Sequence, residues 1–498
     1  MLGAMTLDPR TPILVGQGQI SQHTNDLATA LDPIGLMAAA VTAAISDASL
    51  RGLPDVDAIL AVRSLSTKHA NPALAVAQHL GISSRRFGLT PNGGNMPQSL
   101  VNLAAQRIAI GELSIAIITG GEATRSRNRA RRNGIDLSWL VGNTGDTTPE
   151  LMGEDLSMNH AIEIDRKIVM PIQVYPMFET AIRAASGRGV DEHQHFIGAL
   201  WSRFSKVAST NPKAWTQREY SASEIITPSP TNRVIGFPYT KLMNSNNDVD
   251  MGAALIICSV ERAQSLGIPH DKWVFVHSGT DCHEHNFVSH RDTFAETPAV
   301  RLGGEMALHL ANKTIGEIDI IDLYSCFPSA VQLGAASLGL AIDSQLTRTG
   351  GLSFSGGPWN NYAMHAIGTV MRDLRTAPHQ TALVWANGGY ATKHSFGIYA
   401  MTPPANGFRH GSPQVMVDSL PRRTVADAAQ AVGPATVEAY SVMHDRDGAP
   451  EIVNAAVLLA DGRRAWAASS EKDLAKAMTI GEWVGTPATL TSDGTLRC

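Results

Sequence analysis

Two segments far apart in the chain follow one plan, and that repetition constrains the fold more than any other feature. Residues 93–124 read GGNMPQSLVNLAAQRIAIGELSIAIITGGEAT, and residues 356–392 read GGPWNNYAMHAIGTVMRDLRTAPHQTALVWANGGYAT. Each opens on a Gly-Gly turn, enters an amphipathic helix, and continues into an apolar strand that ends in Gly-Gly-x-Ala-Thr. In the first copy Leu100, Leu103, Ala104 and Ile108 fall on one helical face. An ordered match of loop, helix, strand and terminal motif points to duplication. A duplicated α/β half implies a pseudo-twofold pair with a binding site between its members.

The remainder of the first 400 residues supports this reading. PILVGQG is a short buried strand, and Asp32 caps a helix that begins with Pro33. DAILAV is the next strand, and NPALAVAQHLG is a helix closed by Gly81. Strands alternating with helices predict a largely parallel sheet covered on both faces. Residues 125–230 break the rhythm with polar, turn-rich sequence around one helix, HQHFIGALWSRFSKVAS; they read as an insertion covering one side of the first half. Beyond residue 405, short alternating stretches separated by DRDG and ADGR turns predict a small antiparallel β domain, OB-like in character. The expected division is 1–275 for the first half with its insertion, 276–404 for the second, and 405–498 for the β domain.

Composition narrows the class. Charged residues are 17% of 498 and the net charge is −5, which argues against a dedicated nucleic-acid binder. The four cysteines, Cys258, Cys282, Cys326 and Cys498, show no CxxC pairing and suit a reducing, cytoplasmic compartment. No apolar run approaches the roughly 20 residues needed to span a bilayer, and the start of the sequence lacks a secretion signal.

A Gly-Gly turn feeding a helix places the next residue where backbone N–H groups favour an anion or a thiolate. That residue is Asn95. NGGNMPQSLVNLAA resembles the nucleophile loop of thiolases, in which a cysteine opens the buried helix. PYTKLMNSNNDVDMGAALIICS resembles the strand closing the first thiolase domain, and EIDIIDLYSCFPSAVQLGAASLGL the His-Asp-Cys-Phe segment of sterol-carrier-protein-2-type thiolases. GGLSFSGGPWNN resembles the Gly-His-Pro loop, and WANGGYATKHSFGIYA the closing Gly-rich loop. The resemblance covers roughly residues 10–400. It implies the thiolase fold, two duplicated βαβαβ halves in αβαβα layers, and a ligand that is CoA or an acyl-CoA thioester of the kind handled by acetyl-CoA acetyltransferases, with no resident cofactor or metal.

The departures bear directly on chemistry. Thiolase transfer takes the acyl group from CoA onto a thiolate, and Asn95 stands at that position. Gly357 stands where Gly-His-Pro supplies its imidazole, and Tyr324 replaces the histidine of His-Asp-Cys-Phe while Cys326 keeps its place. The expected ligand-facing set is Gly94, Asn95, Tyr324, Gly356, Gly357, Gly388 and Gly389, with Cys326, His394 and Asn387 as the candidate catalytic groups. Plainer roles stand beside these: Asn95 as a helix cap, Cys326 as a small core filler, His365 as a core histidine. His277, Cys282, His283, Glu284, His285 and His290 crowd one stretch that reads either as a transition-metal cluster or as a polar loop. RSRNRARR reads either as a solvated face or as a contact for CoA phosphates. Three functions follow: a CoA-ester binder without ordinary thiolase activity; an acyltransferase or carbon–carbon bond enzyme of altered mechanism using Cys326 or His394; or a scaffold that recruits a protein partner through its C-terminal domain.

Overall fold

The computed structural model describes residues 7–137, 139 and 147–498. The first half runs β1 (Pro12–Ser21), α1 (Pro33–Asp47), β2 (Asp55–Ala61), α2 (Pro72–Leu80), β3 (Ser83–Leu89), α3 (Met96–Ala109) and β4 (Ile115–Ala123). The local signals act as expected: Asp32 accepts the N–H of Gly35 at 2.7 Å, and Gly81 ends α2 with φ +65°. Next come α4 (Thr124–Arg132) and, within the insertion, α5 (Pro171–Ser186) and α6 (Val190–Thr210), before β5 (Asp250–Ser259). The second half holds β6 (Val274–His283), α7 (Pro298–Leu310), β7 (Ile320–Leu323), α8 (Pro328–Ser337), α9 (Tyr362–Thr376), β8 (Thr381–Gly388) and β9 (Lys393–Ala400).

The halves share one topology. In the first, strand neighbours run β2-β4-β5-β1, the first pair parallel and the others antiparallel. In the second they run β7-β8-β9-β6 with the same senses. β1 and β6 join the two through Ile13↔Phe275 and Leu14↔Val274. One core packs α1 and α2 on the outer face of the first half, and a second sandwiches α3 and α9 between the halves. A third covers the outer face of the second half. These are the five αβαβα layers, and they bury α3 almost completely: Val101, Ala104, Ala105 and Ile108 are all inaccessible.

The insertion differs from expectation. Trp201, Phe204 and Phe178 pack with Leu323, Leu333 and Trp385, so α5 and α6 cover the second half rather than the first. The physical reason is apolar complementarity: α8 is buried from Pro328 to Ala335 and needs a second apolar surface above it.

The tail joins in two steps. Arg409–Gly411 runs parallel to β6 in the main sheet. The second sheet begins at Gly433, with β10 (Gly433–His444), β11 (Pro450–Leu459), β12 (Arg464–Ser469) and β13 (Pro487–Leu490). The DRDG turn is an Asx-type hairpin in which Asp445 Oδ1 accepts the N–H groups of Asp447 and Ala449. A bridge from Ala468 to Thr495 brings the sheet edges together, as in a small barrel, and Val234–Phe237, just beyond the insertion, pairs with β10. Arg464 anchors this unit. It pairs with Glu438 and donates to the carbonyls of Ser289 and Arg291 in the main body. No helix among the described residues is long and apolar enough to cross a membrane.

Candidate active site

The loops singled out in the sequence meet where α3 begins. A Cβ on Gly94 would lie 2.5 Å from the Asn387 carbonyl and would overlap the Tyr324 hydroxyl. One on Gly388 would lie 2.6 Å from Asn95 Oδ1 and 2.9 Å from Gly94 N. The two halves therefore approach so closely here that glycine is required on both sides. Asn360 ties in the third loop: its Oδ1 accepts the N–H of Gly93 at 3.0 Å, and its Nδ2 donates to the Arg63 carbonyl. Gly357 lies against a different wall. Its N–H donates to Asn246 O at 2.9 Å, and a Cβ there would run into Ser245 Oγ. Gly356 packs on Met251 with φ +102°.

Asn95 occupies the N-cap position of α3 yet makes no capping hydrogen bond, contrary to its simplest sequence reading. Its Nδ2 donates instead to Ser395 Oγ at 3.3 Å. Ser395 donates to Asp281 Oδ1 at 2.6 Å, and Asn102 and His410 reach Asp281 Oδ2 at 2.9 Å each. Burial pushes the Asp281 carboxyl up, but hydrogen bonds from His410, Ser395 and Asn102 outweigh it and hold the group below its ordinary range. An ionised carboxylate only accepts, so Ser395 is a donor to it and Asn95 must present its N–H. Asn95 Oδ1 is thereby left buried and without a partner.

A second network centres on Tyr175, which lies within the insertion and carries no motif that would mark it. Its hydroxyl donates to Gly389 O at 3.0 Å and receives Asn387 Nδ2 at 3.0 Å and the N–H of Ala391 at 2.9 Å. The same argument fixes the Asn387 amide and leaves its Oδ1 unpartnered. The Tyr175 ring stacks on Phe327 at 4.6 Å between centroids. Cys326 lies beside this hydroxyl, and burial pushes its thiol up to about 12. Tyr324 is buried and T-stacked on Tyr362, its hydroxyl over Gly94.

The thiolase-like protein type 1 additional C-terminal domain model matches residues 413–495. The crystal structure of a monomeric SCP2-thiolase-like protein type 1 from Mycobacterium smegmatis is 30% identical, with TM-score 0.82 and 98% of each chain covered. The chain belongs to the SCP2-thiolase-like protein type 1 family. Two more distant structures share the fold. An Ltp2–ChsH2(DUF35) aldolase is 21% identical, with TM-score 0.59 over 79% of this chain and 98% of its own. Human mitochondrial 3-ketoacyl-CoA thiolase in complex with CoA is 15% identical, with TM-score 0.55 over 78% and 98%. Among curated proteins, none matches the sequence significantly.

Within this thiolase-like frame, His394 lies away from Asn95. Ser395 faces Asn95, so its neighbour on β9 points to the opposite face of the strand. There His394 Nδ1 accepts from Trp385 Nε1 at 3.3 Å, and burial, with Arg291 nearby, holds the imidazole well below its ordinary value. Arg291 was also missed. This buried guanidinium donates to Tyr390 O at 2.5 Å, to Ala391 O and to Thr392 Oγ1, clamping the closing glycine loop, where Ala391 has φ +48°. The histidine-rich stretch disperses among separate partners. His277 bonds Thr402 O, Cys282 donates to Ala299 O, His285 bonds Pro421 O, and His290 pairs with Arg422. Among the described residues no group of three or more His, Cys, Asp or Glu side chains is placed to hold a metal.

Proposed function

We propose that this thiolase-like protein binds CoA or an acyl-CoA thioester at the loops around Asn95 and holds the ester without cysteine-based thiolysis. One observation carries the reading: the position that opens α3 holds an amide locked by Ser395 and Asp281, while the thiol retained in the site, Cys326, is pushed up to about 12. At pH 7 such a thiol is ionised in about one molecule in 10⁵, and an amide nitrogen is no acyl acceptor. Gly357 offers no imidazole, and Ser245 fills the space a side chain there would enter. Binding is supported by the unpartnered Asn95 Oδ1 where the loops of the two halves meet. The Tyr324 hydroxyl above Gly94 is a donor suited to a thioester carbonyl.

Calorimetric titration of acetyl-CoA tests this reading. Wild type is expected to bind, Asn95→Ala to bind more weakly, and Gly94→Val to lose binding because its side chain meets Tyr324 and Asn387. Unchanged affinity in a folded Gly94→Val variant would place the ligand elsewhere and overturn the assignment.

A further inference from the structure

The strand that follows the closing glycine loop carries a lysine that no motif singles out. Lys393 opens β9 and shares a face of that strand with Ser395, whose hydroxyl meets Asn95. Only 3% of Lys393 is exposed. A lysine is seldom buried to this degree, because an ammonium gives up its hydration on entering the protein. Its Nζ donates to the Asn92 carbonyl at 2.7 Å. Asn92 belongs to the loop that presents Gly94 and Asn95. Asn360 holds that loop as well, donating to Asn92 Oδ1 at 3.3 Å and accepting the N–H of Gly93. The second half therefore grips this loop through two side chains.

That placement brings an amine to the edge of the thioester site. Asn92 is exposed and Gly93 and Gly94 are buried, so Nζ sits where the loop passes from the surface into the interior. Two residues of backbone, about 7 Å when extended, separate Asn92 from Gly94, which lies under the Tyr324 hydroxyl. A flexible four-carbon stem lets Nζ cross such a gap once it releases the carbonyl. Burial lowers the Lys393 ammonium below its ordinary value, and the Asp155 carboxylate offsets this only in part. The neutral amine, the form with a lone pair to give, is therefore more populated near neutral pH than on an exposed lysine.

We propose that Lys393 is an acyl acceptor: with an acyl-CoA thioester held at Asn95, its amine attacks the thioester carbonyl and the acyl group passes to Nζ. The C–N bond forms as the C–S bond breaks. CoA leaves as the thiolate and takes up the proton that the nitrogen gives up, so an amide and free CoA are the products and no other reactant is consumed. The amide is stable, which makes the event a single modification of the chain rather than a turnover. This fits a site with no ready thiolate to carry the acyl group onward. The proposal rests on the CoA-ester reading.

Acetyl-CoA is the probe. The full chain is incubated with it at pH 8 over a range of concentrations, and acetylated lysines are mapped by mass spectrometry, with exposed Lys206 and Lys472 as internal references. The expected result is acetylation of Lys393 at least about tenfold faster than at either reference, because a bound ester is presented at high effective concentration. The rate should saturate in acetyl-CoA and be suppressed by added CoA. Lys393→Arg, which keeps a donor for the Asn92 carbonyl, should lose the fast site and still bind CoA by calorimetry. Acetylation of Lys393 no faster than at the references, or rising in proportion to acetyl-CoA without saturation, overturns the proposal. CoA binding to wild type with no fast acetylation overturns the acceptor role alone and leaves the CoA reading standing; absence of both overturns both.

Discussion

Alkylation of the four thiols with iodoacetamide at pH 8 gives a quantitative test of how inert Cys326 is. Burial raises this thiol from 9.0 to about 12. At pH 8 the thiolate fraction falls from about one in ten to about one in 10⁴, a thousandfold loss, which corresponds to about 4 kcal/mol of added ionisation cost. Since the thiolate is the reacting species, alkylation slows by about the same factor before access is considered. Cys258, also pushed up to about 12, and Cys282, pushed higher still by burial and by Asp281 and Glu284, should behave alike. Cys498 is exposed and should react first. Peptide mapping by mass spectrometry over time is then expected to find one fast thiol in the native protein, none in a Cys498→Ser variant, and four in guanidinium. Alkylation of Cys326 within tenfold of Cys498 would refute the reasoning and restore Cys326 as a working nucleophile.

Other substitutions probe the framework. Arg464→Met should cost about 3–5 kcal/mol of unfolding free energy, because it strands the Glu438 carboxylate and the carbonyls of Val288, Ser289, Arg291 and Asp292 around a buried guanidinium; a denaturant midpoint close to wild type would contradict this. His365, buried beside Gln19, is lowered from 6.5 to about 3 by burial. The unfolded chain takes up that proton near pH 6.5 and the folded chain only near 3, so stability should fall as pH drops through this window, by up to about 1.4 kcal/mol per pH unit. His365→Gln should flatten the slope in urea titrations at pH 6.5, 5.5 and 4.5. Gly357→His should lower the melting temperature through collision with Ser245 and yield no thiolysis; a stable variant that gains activity would show that the loop accommodates the imidazole.

The sequence revealed those features that depend on local backbone demands. Gly94 and Gly388 are glycines because the halves touch there, and Asp32 and Gly81 cap helices by short-range chemistry, so each left a readable mark. What stayed hidden depends on which face a strand presents and on distant packing. His394 adjoins the closing loop in sequence, but a one-residue offset from Ser395 turns it to the other side of β9. Tyr175 and Arg291 reach the glycine loop from an insertion helix and a surface-like stretch, and neither position carries a motif. Asn95 illustrates the limit of residue-type reasoning: asparagine is a good cap, yet Ser395 and Asp281 draw its amide away from the helix.

The most direct test of the account measures acetoacetyl-CoA thiolysis by loss of absorbance beside calorimetric binding of the same ester, for wild type and Cys326→Ala. The account predicts measurable affinity with no turnover of thiolase magnitude in either protein, since nucleophile and base together contribute several powers of ten. Robust turnover in wild type that vanishes in Cys326→Ala would contradict it.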